Sequence, residues 1–323
     1  MYAFSAKLCA LMLATLACVP VRAQPAYPSQ PVRMITAFAA GSASDIVARM
    51  IAEKLQGDLG QPVIVENKPG ASGQVASDFV ARAQPDGYTI MLATNTTHSS
   101  NPYLFKQLRY DPIKDFTPLV QVCNFPFVLV VGGKVPVRNV AELLEYGKTH
   151  RNEMNYGYGN STGQIAAAAF DRAANLNSAA IPYGSTPQAM TDIIGGRTTF
   201  MFVDLASAAG HIQNGSLRAL AVTTERRSAL APDLPPVSEA LGKPGFDLAA
   251  WVGIFGPARM PAAVSAKLGD ALYRIVASPE IQGKLKKMGA EPTPARAQAF
   301  GPFVEQQKSV WGEKVRQAGI EAQ

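Results

Sequence analysis

Two short stretches concentrate the small and polar residues that could do chemistry at the start of a helix. Gly159-Asn160-Ser161-Thr162-Gly163 matches G-x-S-x-G, the pattern of a nucleophile elbow in an acyl hydrolase. Ala39-Ala40-Gly41-Ser42-Ala43-Ser44-Asp45 offers a hydroxyl-rich turn with no cationic side chain. Each turn joins an apolar strand pattern to a helical one, so each leaves the unpaired N–H groups of a helix start open to an anion. Two such turns facing one another would form a cleft for a small carboxylate.

Hydrolysis needs a base as well as a serine. Asp204 and His211 follow Ser161 in the right chain order, but they are only seven residues apart, and His211 falls in an expected helix over 207–214 rather than in a late loop. A dinucleotide fingerprint fails at Thr162, which stands in the third glycine's place, and no acidic residue ends the strand 179–183. There is no G-x-x-x-x-G-K-[ST] motif. His98, His150 and His211 are dispersed without companion ligands, so neither a metal nor another cofactor is expected. Polar turns without an acid–base constellation suit binding. Thr94 and Asn95, Tyr183 and Asp204 also fall just past strand ends, where open α/β sheets bind ligands. Ser44 and Asp45 can equally cap a helix, and Asp204 can cap the one that follows it. As a ligand group, Asp204 would accept a proton from a hydroxyl, an amine or a bound water.

The elements that position these residues alternate β and α. Strands are expected over 32–38, 62–66, 88–94 and 117–122, with amphipathic helices over 45–59 and 72–83. A new apolar strand begins at 125–131. The order then repeats at 155–158, 179–183, 199–203 and 217–223, with 251–255 standing for 125–131 at an offset of about 124. The pattern predicts two similar parallel-sheet units and two chain crossings, near residues 125 and 249. Residues 261–320 read as helical and should pack back onto the first unit.

The bulk properties fit a secreted binding protein. The chain has 323 residues and is 47% hydrophobic, enough for two α/β units. One long apolar run, residues 8–21, follows Lys7 and ends at Val21-Arg22-Ala23, predicting a signal peptide over 1–23 and a mature chain from Gln24. Thr15-Leu16-Ala17-Cys18 resembles a lipoprotein signal except for Thr15. The formal charge of +6 falls to +4 when Lys7 and Arg22 leave with the leader. That excess is scattered without interleaved aromatics, so no nucleic-acid partner is expected. Of three cysteines only Cys123 lies outside the leader, as a packed thiol.

Several longer segments carry a family resemblance. Tyr27-Pro28-Ser29-Gln30-Pro31-Val32-Arg33, the stretch from Gly60 to Ala71 (GQPVIVENKPGA), Pro85-Asp86-Gly87-Tyr88-Thr89, Leu217-Arg218-Ala219-Leu220-Ala221-Val222-Thr223 and Gly289-Ala290-Glu291-Pro292 resemble the Bug-type substrate-binding proteins of tripartite tricarboxylate transporters. The resemblance runs in order through the mature chain. It implies an α/β, two-lobed periplasmic-binding-protein fold of the Venus-flytrap, type II-like kind with two hinge crossings. Lobe 1 would comprise 24–124 and 249–323, and lobe 2 125–248.

The implied function is capture of a small carboxylate by a monomeric, non-catalytic protein in the periplasm, and its delivery to an integral-membrane permease. Carried over by position, the ligand residues would be Phe38, Ala40, Gly41, Ser42 and Asp45 in the first turn, Thr94 and Asn95 after the third strand, then Ser161, Thr162, Tyr183 and Asp204. Three positions depart from the family pattern: Ser42 where Gly is common, Gln164 for His, and Gly184 for Lys. Ser42 adds a hydroxyl beside the anion turn and Gly184 removes a positive charge from the rim, which leaves the acid's identity open. A serine hydrolase using Ser161 and a binding protein serving a membrane sensor are the alternative readings.

Overall fold

Short apolar runs form most of the strands, and amphipathic segments form the helices. The computed structural model describes residues 27–323, so the expected leader and Cys18 lie outside the described residues. β1 (Val32–Thr36) is almost wholly buried and leads through the first polar turn into α1 (Ala43–Leu59). Ser42 caps α1 by accepting a hydrogen bond from Asp45 N at 3.3 Å, and Gly60 ends it in the left-handed region at φ 66°. β2 (Val63–Asn67), α2 (Gln74–Ala81) and β3 (Thr89–Thr94) complete a parallel βαβαβ unit, with β1 between β2 and β3. A buried π-type turn, Thr96–Ser100, and the single turn α3 (Asn101–Leu104) follow.

β4 (Phe116–Gly132) corrects the expectation of two separate strands: it is one strand of 17 residues that serves both halves of the molecule. Residues Phe116 to Pro126 pair antiparallel with β9 (Ala249–Pro257), and from Phe127 onward the partner becomes β7 (Phe200–Asp204). Register shifts near Pro118 and Cys123 absorb the curvature.

The second half holds α4 (Val140–Thr149), β5 (Asn155–Tyr158), α5 (Ser161–Ala174), β6 (Ala179–Pro182), α6 (Thr186–Gly195), β7, α7 (Leu205–Gln213), β8 (Leu217–Val222) and α8 (Val237–Leu241). β5 runs parallel to both β6 and β7, as β1 does to β2 and β3. The repeat also holds for the crossing strands. β9 inserts between β3 and the first part of β4, and the second part of β4 lies between β7 and β8.

Thr223 ties the crossings together. Its hydroxyl donates to Leu248 O at 2.6 Å, its N–H donates to Phe127 O at 2.9 Å, and Leu248 N–H returns a bond to Thr223 O at 3.0 Å.

The C-terminal region is not helical throughout. α9 (Ala262–Ala277) and α10 (Pro279–Lys287) are followed by β10 (Glu291–Arg296), then α11 (Ala297–Ala318). Pro292 and Pro294 hide this strand from sequence reading. They are tolerated because β10 pairs with β4 alone and its register slips between Pro292 and Ala295. α11 packs on the π turn and β4, and it also reaches α5 in the other half. Cys123 is a buried free thiol whose pKa is pushed up by burial. Among the described residues no helix is long and apolar enough to cross a membrane.

Candidate functional site

The N-termini of four helices meet at one cavity between the two halves of the sheet. α1 contributes Ser42, Ala43 and Ser44, α5 contributes Asn160 and Thr162, α6 contributes Thr186, and α7 contributes Asp204. Thr94, Asn95 and Thr96 enter from the end of β3, and Phe125, Phe127 and Ala250 from the crossing strands. Because strand ends and helix starts alternate in both halves, the fold directs backbone N–H groups and short hydroxyls into the same space.

The first turn is held by a charged network on its outer side. Asp45 accepts hydrogen bonds from Gly41 N (3.0 Å), Arg49 Nε (3.1 Å) and Asn67 Nδ2 (2.8 Å), and the same Asn67 nitrogen donates to Phe38 O at 2.9 Å. Burial alone would raise the Asp45 pKa, but Arg49, the Gly41 amide and Asn67 together hold it below the usual carboxylate range. The carboxylate therefore shapes the turn and does not line the cavity. Ala40 and Gly41 are exposed and stand outside the lining, with Gly41 at φ 81°. Phe38 and Ser42 do line it.

The second turn is capped by Asn160, whose Oδ1 accepts from Gly163 N at 2.8 Å while its Nδ2 donates to Thr186 Oγ1 at 3.0 Å. Gly159 makes this contact possible. A Cβ there would stand 2.2 Å from the Thr186 nitrogen.

Across the cleft, Asn95 Nδ2 donates to Thr162 Oγ1 at 2.8 Å and Ser161 Oγ donates to Thr96 Oγ1 at 2.9 Å. Ser161 Oγ also lies 3.0 Å from Ser100 Oγ. The two halves thus touch directly, and the interior volume between them is about 30 Å³. This is space on the scale of a water molecule, smaller than a dicarboxylate needs.

Among the described residues Asp204 is the single ionisable side chain in the lining. It is 6% exposed, caps α7 by accepting from Ser207 N at 2.7 Å, and has its pKa raised by burial. Tyr183 lies outside the lining, its hydroxyl donating to Asp192 at 3.0 Å. Below the β3 end, His98 is fully buried against Phe255 with ring centroids 4.2 Å apart, and burial pushes its pKa down to about 3.

Of the residues singled out from sequence, the structure brings together Phe38, Ser42, Thr94, Asn95, Thr162 and Asp204 around the cavity. It places Ser161 in the contact across the cleft, outside the lining, and Ala40, Gly41, Asp45 and Tyr183 at one remove. Thr96, Asn160 and Thr186 were present in the polar turns but not selected. Phe125 and Phe127 gave no polar signal at all, since their strand reads as core.

The hydrolase constellation does not assemble. Ser161 meets Thr96 and Ser100, Asp204 meets Ser207, and His211 Nδ1 lies 3.1 Å from Ser216 Oγ.

A family model described as "Tripartite tricarboxylate transporter family receptor" (TctC) matches residues 47–320. The chain belongs to this family. TctC proteins are substrate-binding receptors rather than enzymes. A UPF0065 protein of Bordetella bronchiseptica is 34% identical over 302 residues, covering 94% of this chain and 90% of its own. Among solved structures, the periplasmic binding protein BugD superposes with a TM-score of 0.86 at 35% identity, covering 92% of this chain and all of its own. MatC from Rhodopseudomonas palustris, solved with bound malate, has a TM-score of 0.84 at 28% identity, covering 90% and 100%. Another R. palustris protein, solved with adipate, gives 0.88 at 30%, covering 92% and 100%. This TctC chain therefore has the two-lobed α/β fold of the periplasmic binding proteins.

Proposed function

We propose that this TctC-family receptor captures a small carboxylate between its two halves in the periplasm and delivers it to an integral-membrane permease of the tripartite type. The convergence of four helix N-termini on one cavity carries this reading. Each presents about half a positive charge and unpaired N–H groups, and an anion is the ligand such a site favours. The neighbours solved with adipate and with malate point to the same class. The chain would be exported through residues 1–23 and act as a monomer. Residues 24–124 with 249–323 would form one lobe and 125–248 the other, a division supported by the change of β4 partner at Phe127.

Phe38, Ser42, Thr94, Asn95, Thr162 and Asp204 would contact the ligand. Ser161 would hold the lobes shut, while Ala40, Gly41, Asp45 and Tyr183 would shape the loops. Because the space between the halves is about 30 Å³, a metabolite would enter with the lobes apart and leave them wider than this.

Thermal unfolding of the mature protein against a panel of mono-, di- and tricarboxylic acids tests the binding. A true ligand at a hundred times its Kd stabilises by about 2.7 kcal/mol. A panel that leaves the unfolding temperature unchanged would remove the carboxylate reading. Deleting the gene should abolish uptake of the acid that binds.

A further inference from the structure

The cavity's charges can be set against one another. Four helix N-termini turn partial positive charge toward the cavity, and among the described residues Asp204 is the single ionisable side chain in its wall. Among the described residues no lysine or arginine lines the space. Arg49, beside the first turn, is already paired with Asp45 at 3.0 Å. The wall thus offers an anion helix ends rather than a cationic side chain, and an ionised Asp204 would repel the second charge of a dianion.

The polar atoms add a direction. Asp204 accepts from Ser207 N through Oδ1, and nothing cationic pairs with its carboxylate. Asn95 is fully buried in the same wall, and its Oδ1 has no hydrogen-bond partner. Two buried acceptors call for a donor, because buried acceptors left unpaired are costly. A plain dicarboxylate brings more acceptors and places a second negative charge near Asp204.

We infer that the cavity selects a carboxylate of net charge −1 that also carries a hydrogen-bond donor, an ammonium or a hydroxyl group, seated against Asp204. This rests on the carboxylate-binding function proposed above. An amino dicarboxylate and a hydroxy monocarboxylate share that chemistry. The apolar flank made by Phe38, Phe125 and Phe127 would cover the carbon chain between the two ends.

Calorimetry with acids matched in length tests the inference. At four carbons the set is succinate, aspartate and 3-hydroxybutyrate; at six it is adipate, 2-aminoadipate and 6-hydroxyhexanoate. At the length that binds, a donor-bearing monoanion should bind at least tenfold more tightly than the dianion. Aspartate or 2-aminoadipate as the best ligand identifies the donor as ammonium, and the hydroxy acids identify it as hydroxyl.

Asp204→Asn and Asp204→Ser should each shrink that ratio to about threefold or less, with folding checked by circular dichroism. Succinate or adipate binding as tightly as its donor-bearing partner in the wild type would overturn the inference and leave the carboxylate function standing. So would an unchanged ratio in both variants. Silence from all six acids, together with an unresponsive thermal panel, would overturn the inference along with the function.

Discussion

Ser161 and Thr96 lie 65 residues apart in sequence and join the two halves of the molecule by a hydroxyl–hydroxyl hydrogen bond of 2.9 Å. Both are buried to about 1% exposure, so water cannot replace the bond when one partner is removed. Ser161→Ala should shift the lobes toward the open arrangement and weaken ligand binding by about 1 kcal/mol, roughly fivefold. His211→Ala should leave affinity unchanged, since that ring faces Ser216 on the far side of α7. Calorimetry on the two variants checks this. An ester-cleaving activity lost in both would restore the hydrolase reading.

The first turn should respond to its supports rather than to its own side chains. Asn67→Ala removes the donor that serves both Phe38 O and Asp45 Oδ1, and it should cost about 1–3 kcal/mol in stability with a parallel loss of affinity. A Cβ at Gly41 would meet no neighbouring atom, so the expected penalty of Gly41→Val is the left-handed backbone at φ 81°, about 1–2 kcal/mol. Ser42→Gly should be milder, because glycine is itself an acceptable N-cap. Denaturant unfolding separates these three.

Thr223 is the node of the crossings, and its hydroxyl is the group to remove. Thr223→Val keeps the side-chain shape but strips Leu248 O and Phe127 N of a partner in a fully buried place. The expected loss is about 1–3 kcal/mol. Small-angle scattering should find a broader spread of lobe orientations without ligand and less compaction on binding. Scattering indistinguishable from the wild type in both states would remove Thr223 from the hinge.

Asp204 should make stability depend on pH. Burial raises its folded-state pKa above the unfolded value, so the native state holds the proton more tightly than the unfolded one. Between the unfolded pKa near 4 and the raised folded value, stability therefore falls as pH rises. Asp204→Asn keeps a good N-cap and loses the charge. It should be more stable than the wild type at neutral pH, and the difference should vanish in acid below the unfolded pKa. Equal pH profiles would mean that the helix α7 dipole fully offsets the burial of the charge.

Local structure was legible in the sequence because its causes are local. Ser42 caps α1 and Asn160 caps α5 through bonds spanning three residues, so type and spacing announce both helix starts. The parallel βα order and its repeat are likewise written in apolar runs and the turns between them. What the sequence left open is decided by long-range packing. Asp45 and Asp204 occupy similar junctions after parallel-sheet strands and looked alike as candidate ligand groups.

Arg49 and Asn67, 22 residues on, engage Asp45 outside the cavity lining, while among the described residues Asp204 meets no cation and stays in the cavity wall. Phe125 and Phe127 became cavity residues only because β4 changes partners beside them, and Pro292 and Pro294 entered a strand only because β10 needs a single neighbour. Caps and periodicity are set by nearest neighbours along the chain. The direction a side chain faces is set by whichever distant segment fills the space on its other side.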